Sequence, residues 1–304
     1  MGEPCHAVAF RAFILAGTGE MSLFQLFIIA AIQGITEWLP ISSSAHVLLL
    51  SDTFGADGRD ELLLNAVSNL GTLAAMLVYF RKDVASAFVG GFELVAAPVT
   101  KKTLSPGARL AACVIVATPI ALIAALLYEG VLPESAQDAL RSVPTVAGAT
   151  IVFGLLLWWA DVKGPRTRKE EDMTFMHALM IGATQAIAAI IPGTSRSGIT
   201  MTAARALGYD RTEAARFSML IGAPILAAAG LYGAYGLFTA DPDSGALLSF
   251  QDGMIVAAVA FVTGLASIWG LMALLKRMSF LPFVVYRVIL GVALFVMLPY
   301  ISAS

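Results

Sequence analysis

Gln33 to His46 reads QGITEWLPISSSAH: a hydrophobic helix carrying one carboxylate breaks at Pro40 and runs into three serines and a histidine. Charged and polar groups at membrane depth are rare and usually functional, because hydrocarbon offers them no water. A second stretch, Gln185 to Thr200, reads QAIAAIIPGTSRSGIT and repeats the construction with an arginine in place of the histidine. The two stretches are expected to meet.

The surrounding composition places both in lipid. Of 304 residues, 58% are hydrophobic and 13% charged, and the mean hydropathy is +0.82. So little polar surface cannot coat a soluble globule, and the chain reads as an integral membrane protein. Its apolar runs are helix-long and do not alternate with period two, which argues against an outer-membrane barrel. A net charge of -2 without a basic block argues against nucleic acid as a partner. Cys5 and Cys113 form neither a disulfide framework nor a metal-ligand spacing, and Cys113 reads as a packing residue. Arg11 interrupts the apolar run Ala7 to Gly17, so residues 1–20 read as a peripheral extension ahead of Met21 rather than a cleaved signal.

Six segments approach the roughly 20 apolar residues that a bilayer requires: Leu62 to Phe80, Gly107 to Tyr128, Val143 to Ala160, Glu213 to Tyr232, Met254 to Leu275 and Pro282 to Tyr300. Leu23 to Ser51 and Phe175 to Leu207 are also hydrophobic, but Pro40 and Pro192-Gly193 break them. Each reads as two half-helices around a non-helical turn. Phe88 to Val99, short and with two glycines, reads as an interfacial helix and not a span.

Loops rich in Lys and Arg stay in the cytoplasm. By that rule three loops are cytoplasmic: those with Arg81, Lys82, Lys101, Lys102 and Arg109, with Lys163, Arg166, Arg168 and Lys169, and with Lys276, Arg277 and Arg287. The loops between them, holding Glu129, Glu134 and Asp138 and then Asp241, Asp243 and Asp252, are external. Six spans fit this alternation only if both broken segments are re-entrant hairpins, the first dipping in from outside and the second from the cytoplasm. Shifting the chain by 152 pairs Ala31 with Ala183, Gln33 with Gln185, Ile35 with Ile187, Pro40 with Pro192 and Ser43 with Ser195. Five identities in sixteen positions exceed the roughly one expected from average composition. The predicted fold is an all-α polytopic membrane protein with an inverted-topology repeat, one domain over 21–304 whose halves run from about 21 to 160 and about 173 to 304.

At each break a serine or threonine stands where a helix N-cap belongs. Ser42, Ser43, Ser44, Thr194 and Ser195 therefore read as caps or as ligands. Two half-helix N-termini facing one cavity present free N–H groups to an anion, and Arg196 adds a cation with a fork suited to phosphate oxygens. Glu37 reads either as the structural partner of Arg196 or as a working member of a set with Ser43 and His46. A hydroxyl, an imidazole, a carboxylate and a guanidinium are the parts of a phosphoryl-transfer site. Asn65, Ser68 and Asn69 share one helix face, which borders the same cavity or makes interhelical hydrogen bonds. His177 reads as structural, and Trp158-Trp159 as interfacial belt and packing.

Glu37-Trp-Leu-Pro-Ile-Ser-Ser-Ser-Ala-His46 and Pro192-Gly-Thr-Ser-Arg-Ser-Gly-Ile-Thr200 resemble the two signature motifs of the bacterial undecaprenyl-diphosphate phosphatases, the bacitracin-resistance family. The resemblance runs from about Met21 to the C-terminus and includes Lys276 to Arg287. It implies hydrolysis of a C55 isoprenoid diphosphate to the monophosphate in the bacterial inner membrane, recycling the carrier lipid for peptidoglycan, with access from the external side. It also implies a divalent cation, magnesium or calcium. By motif match Glu37, Ser43, His46 and Arg196 are catalytic, while Ser42, Ser195, Ser197 and Thr200 line the diphosphate site. The family commonly has glutamate where this chain has Gln33. Gln33 and Glu37 stand at i and i+4 and face one side, so the cation and substrate contacts fall to an amide oxygen and one carboxylate.

Three divisions of labour fit these residues: Ser43 as nucleophile with His46 accepting its proton, His46 as nucleophile, or Glu37 as base for an attacking water. A transporter of isoprenoid phosphate is the rival reading, because inverted repeats with broken helices also build transporters. Its weakness is that moving a lipid phosphate needs Arg196 but not a nucleophile with a base. The expected partners are the lipid substrate, the bilayer and a second copy in a homodimer.

Overall fold

The computed structural model describes residues 22–46, 58–100, 103–239 and 250–301. The extension expected over 1–20, Lys101 and Lys102, and the loop residues Asp241 and Asp243 lie outside the described residues. Helix α1, Leu23–Trp38, starts at a capping box in which Ser22 and Gln25 satisfy each other's backbone N–H. It stops because Leu39, preceding Pro40, is extended. A fresh helical turn starts at Ser43. Then follow α2 (Gly58–Tyr79), α3 (Arg81–Thr100), α4 (Pro106–Ala117), α5 (Pro119–Val131), α6 (Glu134–Arg141) and α7 (Val143–Lys163). The second broken segment supplies α8 (Phe175–Ala183), α9 (Gln185–Ile190) and α10 (Arg196–Ala206), and the chain continues as α11 (Arg211–Thr239), α12 (Phe250–Leu275) and α13 (Leu281–Ile301). Among the described residues the only β pairing is an isolated bridge between Arg168 and Tyr209.

Four stretches are long and apolar enough to cross a membrane: Pro106–Val131, Val143–Lys163, Arg211–Leu231 and Phe250–Leu275. Leu64–Tyr79 and Leu281–Met297 are apolar over a shorter length, as are the broken segments Leu23–Trp38 and Phe175–Ile190. Three boundaries differ from the sequence reading. Gly107 to Tyr128 is two helices, because Pro119 cannot donate to the preceding turn and Thr118 starts a new one. The short interfacial helix expected at Phe88 to Val99 is the second part of the longer α3, which packs along α4. Arg287, counted among the loop cations, lies two turns inside α13 and is fully buried, so it contributes nothing to loop charge.

Large apolar side chains lie both in the core and on the outer surface, as expected of helices that face lipid. Trp38, Met76, Leu157, Ile181, Met201 and Ile221 fill the main core, while Phe88, Val95, Leu126, Trp159 and Trp269 are exposed. α12 lies on α1 and α2, α8 and α9 lie on α4 and α5, and α7 pairs with both α10 and α13. One end of the molecule is tied by ion pairs: Asp161, at the end of α7, accepts from Arg205 at 3.0 Å, Arg211 at 2.8 Å and the Phe280 backbone N–H at 3.2 Å. Nearby, Arg216 joins Asp83 at the start of α3 to Glu170. At that same end His177, near the start of α8, lies 2.7 Å from the hydroxyl of Tyr209, which follows α10.

Candidate active site

The two breaks share one local design. Ser42 and Ser195 both hold positive φ, 72° and 67°, and each precedes a new helical turn. Such backbone costs a non-glycine residue about 1 kcal/mol or more, so the surroundings must hold it. Ser195 Oγ accepts from Gly198 N at 3.1 Å and caps α10. Within each break the hydroxyls pair at i and i+2, Ser42 with Ser44 at 3.1 Å and Ser195 with Ser197 at 3.2 Å. By backbone geometry the counterpart of Ser195 is thus Ser42 and not Ser43. The second turn is one residue longer, with Gly193 at φ +89° and Thr194 between Pro192 and Ser195. Ser43 and Arg196 thereby become the first residues of their half-helices.

The breaks are also bonded to each other. Gly193 N donates to Ser44 Oγ at 3.0 Å, and Ser197 Oγ donates to the Leu39 carbonyl at 2.8 Å. Arg287 satisfies carbonyls that the breaks set free: Nη1 donates to Pro40 O at 3.3 Å, and Nη2 to Gly193 O and Thr194 O, both at 3.0 Å. Its Nε reaches Thr150 O on α7 at 2.9 Å. Buried backbone carbonyls need such donors, since they are shielded from water.

Glu37, at the end of α1, is where side chains of the two breaks meet. Its Oε1 accepts from Arg196 Nη2 at 2.8 Å, and its Oε2 accepts from Gln33 Nε2 at 3.0 Å and from Ser43 Oγ at 3.3 Å. The carboxylate side chain is 10% exposed and the guanidinium 16%, so the pair is held in a weakly screened setting. Arg196 lies over the Trp38 ring at 5.2 Å, and the indole is fixed by its own bond to Thr72 O at 3.1 Å. Arg196 Nη1 is buried without a partner. It occupies the space a side chain at residue 222 would fill, for a Cβ on Gly222 would lie 1.8 Å from it.

The remaining expected site residues divide clearly. Gln33 is buried beside Glu37, its Nε2 also 3.5 Å from Asn69 Oδ1, and its Oε1 has no partner. Ser68 on the same face as Asn69 is buried with an unpartnered hydroxyl. His46 binds the Ser42 carbonyl through Nδ1 at 2.7 Å and the Tyr286 hydroxyl through Nε2 at 2.6 Å. Ser43 donates to Glu37, so the serine and the histidine have different partners. Ser42 and Ser197 are buried and hold the breaks, and Ser195 caps. Thr200 is buried with its hydroxyl on Arg196 O at 2.9 Å and Ser218 Oγ at 2.6 Å. Trp38, Gly222, Tyr286 and Arg287 join the site without having been singled out for it. For Arg287 the signal was an arginine inside an otherwise apolar run, which a loop assignment hid.

The family model described as "Bacitracin resistance protein BacA" matches residues 26–293. The chain is 65% identical over 284 residues to an undecaprenyl-diphosphatase of Hyphomonas neptunium, covering 93% of this chain and 99% of that protein. It is 46% identical to an undecaprenyl-diphosphatase of Maricaulis maris, with 91% and 99% covered, and 44% identical to one of a Jannaschia species, with 91% and 98% covered. Glu37, Ser43, His46 and Arg196 lie within the matched residues, and the chain belongs to the bacitracin resistance protein BacA family.

Proposed function

We propose that the chain is a multi-pass membrane phosphatase that hydrolyses undecaprenyl diphosphate to undecaprenyl phosphate and inorganic phosphate, returning the carrier lipid to peptidoglycan synthesis. One observation carries the reading: the Glu37 carboxylate bridges a hydroxyl from one break and a guanidinium from the other. Ser43 Oγ attacks the terminal phosphorus and passes its proton to Glu37 Oε2. The new O–P bond forms as the bridging P–O bond breaks, and undecaprenyl phosphate leaves. Water then cleaves the phosphoserine, giving a proton to His46 Nε2 as Ser43 regains its own from Glu37, and phosphate is released. Arg196, through its unpartnered Nη1, and the N–H groups at the starts of the two half-helices hold the phosphate oxygens. A transporter would use Arg196 but has no need of a hydroxyl held against a carboxylate.

The residues fit a divalent cation of the magnesium or calcium kind. The buried, unpartnered Gln33 Oε1 and the Glu37 carboxylate are hard oxygen donors on one helix face. Among the described residues no group of three or more His, Cys, Asp or Glu could form a protein-only cage. The protein would thus supply two oxygens and leave the rest to phosphate and water, as magnesium sites commonly do. When bound, the ion supplies charge neutralisation on the phosphate oxygens.

Six spans and two re-entrant hairpins in inverted halves, with the site open to the external face, complete the reading. Support comes from the shared design of the breaks and from the two broken segments, Leu23–Trp38 and Phe175–Ile190, which superpose in sequence at the 152 shift. The contact between His177 and Tyr209 gives further support, since it returns the end of α10 to the end where α8 begins. The assignment of the nucleophile is tested by quenching turnover in acid and mapping phosphate by mass spectrometry. Phosphate on Ser43 is the expected result, and phosphate on His46 would overturn the serine role.

A further inference from the structure

Two consecutive residues of α13 reach the breaks. Arg287 bonds carbonyls of both turns and so fixes the rotation of α13 against them. Tyr286 brings its hydroxyl to 2.6 Å from His46 Nε2 and lays its ring parallel to the imidazole, with centroids 5.6 Å apart and planes within 4°. The Ser42 carbonyl, 2.7 Å from Nδ1, can only accept. A neutral His46 therefore carries its proton on Nδ1 and turns the Nε2 lone pair to the phenol O–H.

We propose that Tyr286 is a positioning residue for His46, an inference that rests on the phosphatase reading. The phenol holds the ring in one orientation and one tautomer. If Nε2 takes up a proton, the same hydroxyl oxygen accepts from Nε2–H, so the ring stays in place in both states. Aromatic packing alone would need the ring of Tyr286, which is 42% exposed, but not its hydroxyl. The hydroxyl is what separates the two roles. With Nδ1 on the Ser42 carbonyl, it also occupies the other ring nitrogen, and Ser43 has Glu37 as its partner instead.

The test uses the full-length chain in detergent with undecaprenyl diphosphate and magnesium, comparing wild type, Tyr286→Phe and Tyr286→Leu. ¹⁵N-histidine spectra of the same proteins report on the ring, with the His46 signals assigned by His46→Ala. Losing one oriented hydrogen bond should lower kcat in Tyr286→Phe roughly tenfold with KM within about twofold. Tyr286→Leu should fall further. The His46 Nε2 resonance should move in Tyr286→Phe while Nδ1 stays protonated. Wild-type kcat in Tyr286→Phe would overturn the proposal, as would a kcat loss with an unmoved His46 Nε2 resonance or a change confined to KM. No phosphate release by wild type would instead overturn the phosphatase reading, and the His46 resonances would still report whether the contact exists.

Discussion

Glu37 has one oxygen on a cation and the other on a hydroxyl, and the two contacts make opposite demands. In the proposed mechanism Arg196 is the carboxylate's ion-pair partner, Ser43 uses it as a proton acceptor, and an incoming diphosphate competes for the guanidinium, whose second terminal nitrogen has no protein partner. Arg196→Ala should therefore abolish turnover and also destabilise the protein, since removing one member of a buried pair costs about 3–5 kcal/mol. Thermal unfolding in detergent measures the second effect. Gly222→Ala tests the placement of the guanidinium without touching its chemistry. The added methyl would stand 1.8 Å from Nη1 and must displace it. A displacement of about 1 Å at a catalytic group costs on the order of 100-fold, so kcat/KM should fall by that order while Arg196 is still present.

At the level of the helices, the site exists because two of them stop in the middle. Pro40 and Pro192 were legible as stops, and the hydroxyls after them as caps, because proline chemistry and N-cap preference act over a few residues. The one-residue difference between the turns was not legible: identities at a constant shift matched Ser43 to Ser195, whereas positive φ at Ser42 and Ser195 shows which residues share a conformation. Backbone dihedrals are set by closure of the turn, to which side-chain identity is a weak guide. The same conformation yields a prediction at Ser195. Glycine relieves the strain of φ 67° and costs only a few tenths of a kcal/mol as a cap, so Ser195→Gly should unfold close to wild type. Ser195→Val keeps the strain, loses the cap and should cost about 2 kcal/mol. Gly193→Ala should be worse still, because its Cβ would lie 2.4 Å from the Val146 carbonyl oxygen at φ +89°.

Across the whole molecule, the two broken segments are joined at their breaks. Ser44 and Gly193 stand 149 residues apart, and Ser197 and Leu39 158 apart, yet each pair is a direct hydrogen bond. No local pattern announces such pairs, so the sequence reading picks out Glu37, Ser43, His46 and Arg196 by chemical type and passes over Tyr286, Arg287 and Gly222, which meet members of that set, or the turns that carry them, only through the fold. Arg287 was misplaced for the same reason, because a loop-charge rule cannot see an arginine folded back onto free carbonyls. Arg287→Met removes donors to Pro40, Thr150, Gly193 and Thr194 at once. Each unsatisfied buried carbonyl costs about 1–3 kcal/mol, and the variant should unfold at a clearly lower temperature than wild type. The central claim is that the joined breaks form one hydrolytic site. Phosphate release from undecaprenyl diphosphate by the purified chain with magnesium or calcium tests it most directly. Turnover by wild type, with loss of at least about 100-fold in both Glu37→Ala and Arg196→Ala, is the predicted result; wild-type rates in either variant, or no release by the wild-type protein, would contradict it.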